Sequence, residues 1–356
     1  MGFWSSLYQR ILGAHGSLEG NPAGGAARPA WQSSSGAPVV VLDRPPPDSD
    51  RIDDNSPWWQ PFGDTVREYQ PTTRPDLATE ARAIESVLIS HFDGHDLNLP
   101  PLLNVAERVL IRLRDSKCSM GDVGRAVSED QVIAAAVMRM ANSPLYRGLT
   151  RVTSVPNAVS RLGISALRTL MMRESMRSAM FGKQRDALGF AERVWRQSLA
   201  SATVMQELSR FTNLAPDDAA LYGLLHDIGN VVVLRIVLDQ VKSTGVRLEF
   251  EEFEYLCSEC HQEFGELIAA AWKLPPDLAS LVGNHHTHPE SDDPLRVERL
   301  MLATTDMICS LLGHTTFAPY ALLEARPVVE LRLGDKSGFV KMLEELPQTV
   351  DEAIGA

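Results

Sequence analysis

The chain has 356 residues, of which 44% are hydrophobic, and it carries a formal net charge of −12. The acidic balance argues against nonspecific nucleic-acid binding, which requires a surplus of Lys and Arg to neutralise phosphates. Four cysteines in a chain of this length do not form a disulfide framework and indicate a reducing compartment. The N-terminus lacks the apolar core of a signal peptide, and we therefore predict a cytoplasmic protein.

Residues 1–12, MGFWSSLYQRIL, place apolar side chains at helical spacing. A helix of a dozen residues is marginally stable alone in water, so this segment is predicted to fold against a partner, a membrane surface or its own domain. The candidate contacts are Trp4, Leu7 and Tyr8. A frayed terminus is the alternative interpretation.

Residues 13–76 are rich in Pro, Gly, Ser and Asp and predict a disordered linker, because such a segment buries too little apolar surface to offset its ordering entropy. Three aromatic residues lie within it, Trp58, Trp59 and Phe62. They either dock on another surface or form a solvent-exposed patch, and the composition of the linker favours the exposed patch.

From residue 77 onward apolar residues recur at spacings of three and four, and no alternating pattern supports a sheet. The predicted fold class is all-α. We divide this part into a first helix over 77–96, a core domain over 97–290 and a C-terminal helical extension over 291–356 that covers the core and ends in a short amphipathic helix. Within the core, Ser128 is a candidate N-cap and Asn142 a candidate helix end.

Two predicted helices meet at Gly163, in a region that contains several arginines. A helix-turn-helix for DNA is one interpretation, but the apolar residues of both helices suit core packing and the whole chain is acidic. A basic groove for an anionic protein partner or nucleotide is favoured. Its candidate partner-binding residues are Arg147, Arg151, Arg161 and Arg168.

A histidine and an aspartate, His226 and Asp227, close an apolar helical run in the stretch GLLHDIGN, with Gly229 as the predicted C-cap. The partial negative charge at a helix C-terminus favours a cation there. Asp306 lies among apolar residues, where a carboxylate requires a metal, a cationic partner or hydrogen bonds. Further histidines that could lie nearby are His261, His285 and His286.

These residues resemble the pattern of the HD superfamily of metal-dependent phosphohydrolases, which has a first His, then His-Asp, then a distant Asp. The stretches LNLPPLLNVAERVLIRLRD, MRMANSPLYRGLTRVTSVPNAVSRLGISALRTL, LLHDIGNVVVL and HQEFGELIAAAWKLPPDLASLVGNHH narrow the resemblance to the HDOD domain. The resemblance covers residues 97 to about 287. It implies an all-helical domain of bacterial signalling that acts through protein interaction without catalysis, with partners in cyclic-dinucleotide pathways.

One position departs from the HD pattern: the resemblance places the first metal-ligating histidine where this chain has Gln197. An amide oxygen is a weak ligand for the transition metals that imidazole suits. We therefore expect a degenerate site at His226, Asp227 and Asp306 that binds a divalent metal weakly or not at all, in a signalling scaffold that is not an enzyme. The alternative is an HD-type phosphodiesterase or phosphohydrolase with Gln197 replacing a ligand.

The pentapeptide CSECH, with Cys257, Cys260 and His261, matches the CxxCH pattern of covalent haem attachment. That attachment is normally completed outside the cytoplasm, and His261 is already accounted for by the HDOD resemblance. We expect two ordinary cysteines on a helix face, with a weak zinc or redox role for them as the alternative. We expect no haem and, apart from a weakly bound divalent metal, no cofactor.

Overall fold

The structure, a computed structural model, describes residues 58–59, 79–93, 99–115, 117–146, 148–181, 188–245, 248–314 and 321–355. Within these ranges every regular element is helical, as predicted. In chain order the α-helices are α1 (Thr79–Asp93), α2 (Asn104–Arg114), α3 (Met120–Ser128), α4 (Gln131–Ala141), α5 (Val155–Phe181), α6 (Leu188–Leu208), α7 (Pro216–Leu225), α8 (Gly229–Thr244), α9 (Phe250–Ala271), α10 (Pro276–Asn284), α11 (Arg296–Leu311), α12 (Arg326–Glu330) and α13 (Phe339–Gly355).

The start of α4 differs from the prediction. Ser128 ends α3, and the N-cap of α4 is Asp130, whose carboxylate accepts hydrogen bonds from the backbone N–H groups of Val132 at 2.9 Å and Ile133 at 3.0 Å. Both residues are good cap formers, and the chain uses the one that immediately precedes the helix. The predicted end of α4 at Asn142 is confirmed.

The loop after α4 is held by the side chain of Asn142. Its amide donates to the carbonyl of Val152 at 3.0 Å, and its oxygen accepts from the Val152 N–H at 2.9 Å. The following helix α5 contains a break at Gly163, where φ is 75° and ψ is −176°, so the predicted helix junction is confirmed. Glycine suits this position because a positive φ strains any residue with a Cβ.

Two apolar clusters form the interior. The first joins α1 to α5 with α8 and α9, and the second joins the C-terminal half of α6 with α11 to α13. Helix α6 contributes Ala191 and Val194 to the first cluster and Val204 and Leu208 to the second. Helices α7 and α10 also contribute to both clusters, and they place Ala219 and Leu281 in the second. The extension therefore packs on the core domain through these shared helices.

The helices α7 and α8 form the most apolar stretch of the described chain. The span 216–244 is long and apolar enough to cross a membrane, but 89% of its apolar window is buried inside the protein. A stretch buried to this extent is explained by its position in the core.

Several predictions concern residues outside the described ranges. These are the helix over 1–12 with Trp4, Leu7 and Tyr8, the side chains of Phe62 and Arg147, and nearly all of the linker over 13–76. Within the linker only Trp58 and Trp59 are described, and Trp59 is 5% exposed, so the exposed-patch interpretation is wrong for that residue. At the other end of the chain, the last helix α13 has 17 residues and is not short.

Candidate metal centre

The His226–Asp227 pair follows the last turn of α7, and both side chains are buried. The predicted role of Gly229 as a C-cap is wrong, because Gly229 is the first residue of α8. A Cβ at this position would lie 1.8 Å from the carbonyl oxygen of His261. The glycine is required because α8 begins in direct contact with α9, and this contact brings His261 beside the His-Asp pair.

The other two histidines follow α10, and the second aspartate lies on α11. His285 is the C-cap residue of α10, and His286 comes next. Asp306 is half-buried on α11, which belongs to the extension. The centre is therefore built from both parts of the chain, and the extension contributes a side chain to it besides covering the core.

Arg299 on α11 fixes the position of the end of α10. Arg299 is 6% exposed, and its guanidinium donates to the Asn284 carbonyl at 2.5 Å, the Ser280 hydroxyl at 2.8 Å and the Asp293 carboxylate at 2.9 Å. Carbonyls at the end of a helix lack intrahelical partners, and here a buried cation satisfies one of them. The sequence interpretation did not identify Arg299.

The four histidines and two aspartates converge on one buried site with two groups of possible ligand atoms. One group is Asp227 with His261, His285 and His286; the other is His226 with His285 and Asp306. Within each group the ligand atoms lie within 4.8 Å of one another. In the first group, Asp227 Oδ1 is 3.2 Å from His285 Nε2 and 3.5 Å from His261 Nε2. In the second, His226 Nε2 is 3.1 Å from Asp306 Oδ1.

Three of the imidazoles are oriented by the backbone. The Nδ1 atoms of His226, His261 and His285 lie 2.9, 2.9 and 3.2 Å from carbonyl oxygens of the preceding helical turn. A carbonyl can only accept, so each Nδ1 carries the proton, and the Nε2 of a neutral ring presents its lone pair to the site. Metal-ligating histidines are commonly held in this way.

Gln197 on α6 points into the same site. Its amide nitrogen donates to Asp227 Oδ2 at 2.6 Å. Because a carboxylate only accepts, the NH₂ end of the amide must face it, and that end cannot ligate a metal. The glutamine therefore occupies one lone pair of Asp227 on the side that faces His226, whose Nε2 is 3.4 Å from the same oxygen.

The electrostatics of the site favour a cation between the carboxylates. Burial lowers the pKa of His226, but Asp227 and Asp306 outweigh it and raise that pKa to about 9. Burial raises the pKa of Asp227, and His226 and His261 outweigh it, so that pKa lies well below its usual value. Burial and the neighbouring histidines hold the pKa of His286 well below its usual value. In this protonation state His226 is the cation that the two carboxylates share.

Two of the three described arginines among the predicted partner-binding residues are engaged within the chain. Arg161 donates to the Thr150 carbonyl at 2.8 Å, and Arg168 pairs with Asp218 at the start of α7. Arg151 is exposed. The remaining candidate, Arg147, lies outside the described residues.

The two cysteines of the CSECH segment lie on α9, and both thiols are buried. Burial raises their pKa values, so both stay protonated at neutral pH. His261 of the same segment points into the His/Asp site.

The fold and the site together define an all-helical domain with an HD-type His/Asp centre, and comparison with known proteins agrees with this class. The family model of the HDOD domain matches residues 99–288. The chain belongs to the HDOD domain family. Asp306 lies outside the matched residues, although it is part of the centre.

Solved structures share the fold. A "Putative metal-dependent phosphohydrolase" from Shewanella amazonensis is 19% identical with a TM-score of 0.61, covering 77% of this chain and 100% of its own. An HDOD domain protein of unknown function from Geobacter sulfurreducens is 24% identical with a TM-score of 0.55, covering 76% and 98%. A "Putative signal transduction protein" from Marinobacter aquaeolei is 21% identical with a TM-score of 0.54, covering 79% and 66%.

Among curated proteins, an uncharacterized protein of Treponema pallidum is 20% identical over 253 residues. The match covers 69% of this chain but 47% of that relative, so this chain spans about half of the relative's length.

Proposed function

We propose that this protein is a bacterial signal-transduction module that binds a partner protein through its HDOD domain, and that its His/Asp centre holds a single divalent ion without hydrolysing a phosphoester. The observation that carries the proposal is the contact of Gln197 with Asp227 at 2.6 Å. The contact uses Asp227 Oδ2 and leaves Oδ1 facing His261 and His285, so the ligand group with these histidines stays complete, whereas the group around His226 is depleted.

The complete group fits a transition metal. His261, His285, His286 and Asp227 supply three imidazole nitrogens and one carboxylate oxygen within 4.8 Å of one another. Imidazole suits Zn²⁺, Fe²⁺ and related ions, and two of the three rings already have the tautomer that ligation needs. An ion bound there would supply positive charge that links α9 to the segments that follow α7 and α10.

The depleted group contains His226 and Asp306 and shares His285 with the complete group, and the HD pattern would complete it with a histidine at Gln197. A second ion would supply Lewis-acid activation of water or of a phosphoryl oxygen. In this chain the amide of Gln197 donates to Asp227 Oδ2, the carboxylate oxygen that faces His226, so we infer that this half of the centre has too few ligands to retain an ion.

The partner surface that we propose lies at the loop after α4. Leu145 and Leu149 of this loop are exposed large apolar residues, and Leu149 is fully exposed; Ile164, just after the break in α5, is exposed as well. Arg151 follows Leu149 in the loop, and Arg139 lies in the last turn of α4. Neither arginine has an ion pair among the described residues. Exposed apolar side chains with arginines are typical of protein interfaces.

The proposed partner is an acidic amphipathic segment of a signalling protein, because only an acidic segment complements both the leucines and the unpaired arginines. The chain's own residues 1–12 contain Arg10 and no acidic residue, so they are a poorer match to this surface.

Metal analysis of the purified protein tests the first half of the proposal. We expect one divalent ion per chain, its loss in His261→Ala, and a second ion in Gln197→His, which supplies the missing imidazole. His314→Ala is the matched control, since His314 lies outside both ligand groups. Phosphodiester and phosphomonoester substrates are then assayed with Mn²⁺ or Fe²⁺. Turnover by the wild-type protein that disappears in His226→Ala would contradict the proposal.

Binding measurements test the second half. A partner captured from lysate is identified, purified and rebound to the wild-type protein and to Leu149→Asp, with Val340→Asp, at another exposed apolar position, as control. We expect binding to fall at least tenfold in Leu149→Asp alone and to weaken with salt. Equal binding by the two variants, or a bound segment that is not acidic, refutes this surface.

The alternative function is an HD-type phosphohydrolase. The observation in its favour is that His226 and Asp306 remain in contact at 3.1 Å beside Asp227. The same activity assays decide between the two functions.

A further inference from the structure

The last helix contains a backbone acceptor that its own hydrogen-bond ladder cannot use. In an α-helix the N–H of each residue donates to the carbonyl four residues earlier. Pro347 lies inside α13 and has no N–H, so it cannot serve the carbonyl of Leu343. A buried or half-buried carbonyl without its ladder partner requires another donor.

A tryptophan from the other end of the chain supplies that donor. The indole Nε1 of Trp58 donates to the Leu343 carbonyl at 3.1 Å, across 285 residues of sequence. The neighbouring Trp59 is buried in the second apolar cluster, together with residues of α13 such as Met342 and Leu346. The two indole rings meet edge to face, with centroids 5.6 Å apart.

We propose that Trp58–Trp59 is an intramolecular docking motif and that Pro347 creates its binding site. The Leu343 carbonyl recognises the indole N–H of Trp58, and the second apolar cluster takes the ring of Trp59. The partner of this face of the extension is thus the N-terminal arm of the same chain (residues 1–76), which is anchored to the C-terminal extension at Trp58 and Trp59.

Two independent features support a built site. An indole is a large apolar group with one N–H donor, which matches an apolar face with one unsatisfied carbonyl. The Leu343 carbonyl is also left free by Pro347, and proline is unfavourable inside a helix because it removes a hydrogen bond. Replacing that proline restores the ladder and removes the acceptor without touching either tryptophan.

Limited trypsin digestion of the full chain tests the proposal through cleavage after Arg51 and Arg67, which flank the motif. Trp58→Phe keeps an aromatic ring, smaller than the indole, but loses the N–H, and Pro347→Ala returns the Leu343 carbonyl to the helix. Each change removes the same hydrogen bond, so we expect each to raise the cleavage rate about fivefold. The double variant is expected to match the single variants, because the bond can be lost only once. Trp59→Ala is expected to raise cleavage further, on the order of a hundredfold.

The control for tryptophan removal is Trp195→Phe, whose ring contacts Phe181 away from the motif. Its cleavage rate should equal that of the wild type. Circular dichroism melting accompanies each digestion, and Pro347→Ala is expected to melt no lower than the wild type even though its arm is released. Unchanged cleavage in either Trp58→Phe or Pro347→Ala, or additive effects in the double variant, would overturn the proposal.

Discussion

Replacing Arg299 tests whether the extension and the core domain are joined at the His/Asp centre. Arg299→Met removes a buried cation that bonds Asn284, Ser280 and Asp293, while keeping much of the apolar volume. Breaking a buried ion pair typically costs 3–5 kcal/mol, and the Asp293 partner is partly exposed, which places the expected loss near the lower end, at about 3 kcal/mol. With an unfolding entropy of about 2.1 cal/mol/K per residue, that loss lowers the melting temperature of a 356-residue chain by roughly 4 °C.

Differential scanning calorimetry and urea unfolding measure this loss. Arg332→Met is the matched control, because its pair with Asp335 is largely exposed and should contribute about 0.5 kcal/mol or less. Arg299→Lys is expected to recover only part of the stability, since an ammonium cannot reproduce the geometry of the guanidinium. A loss below about 1 kcal/mol in Arg299→Met would refute the reasoning that this residue fixes α10 to α11.

Four further outcomes are expected. Gly229→Ala should destabilise the fold by about 3 kcal/mol or more in urea unfolding, because its Cβ would overlap a carbonyl of α9; wild-type stability would contradict this close crossing. Asn142→Ala should cost about 2 kcal/mol by the same assay, through loss of the bonds that hold the loop after α4, and a change under about 0.5 kcal/mol would be inconsistent with that role. In a thiol-reagent titration of the native protein only Cys118 should react promptly; rapid reaction of more than one thiol would show that the interior opens. Removal of residues 291–356 should leave an insoluble chain, since it exposes the second apolar cluster; a cooperatively melting, soluble fragment would contradict the shared core.

Helical periodicity and the quoted motifs were enough to predict the all-α class, the His226–Asp227 pair and its additional histidines. They could not predict how those histidines meet, because His261 and His285 are brought together by the crossing of α8, α9 and α10. Glycine illustrates the limit: a glycine after a helical run fits a C-cap, but Gly229 is needed for a close helix contact. Local sequence does not distinguish the two roles.

Contacts between residues far apart in the sequence were the second feature that could not be predicted. The linker composition gave no sign that Trp59 is buried, since its partners lie near the opposite end of the chain. Pro347 was the available signal, because a proline inside a helix leaves a carbonyl that some other group must satisfy. The sequence alone does not place Trp58 near the Leu343 carbonyl, so the donor can be identified only from the fold.

The His/Asp centre lies between the two apolar clusters and extends beyond the end of the family match. The family match ends at residue 288, but Asp306 and Arg299 come after it, and both act on the His/Asp centre. Carboxylates and imidazoles are costly to bury inside one cluster, whereas a seam between two clusters lets each wall contribute polar groups that satisfy the others. The charge balance of the centre therefore depends on the extension staying docked, and any ligand or partner that moves the extension also moves Asp306 away from His226.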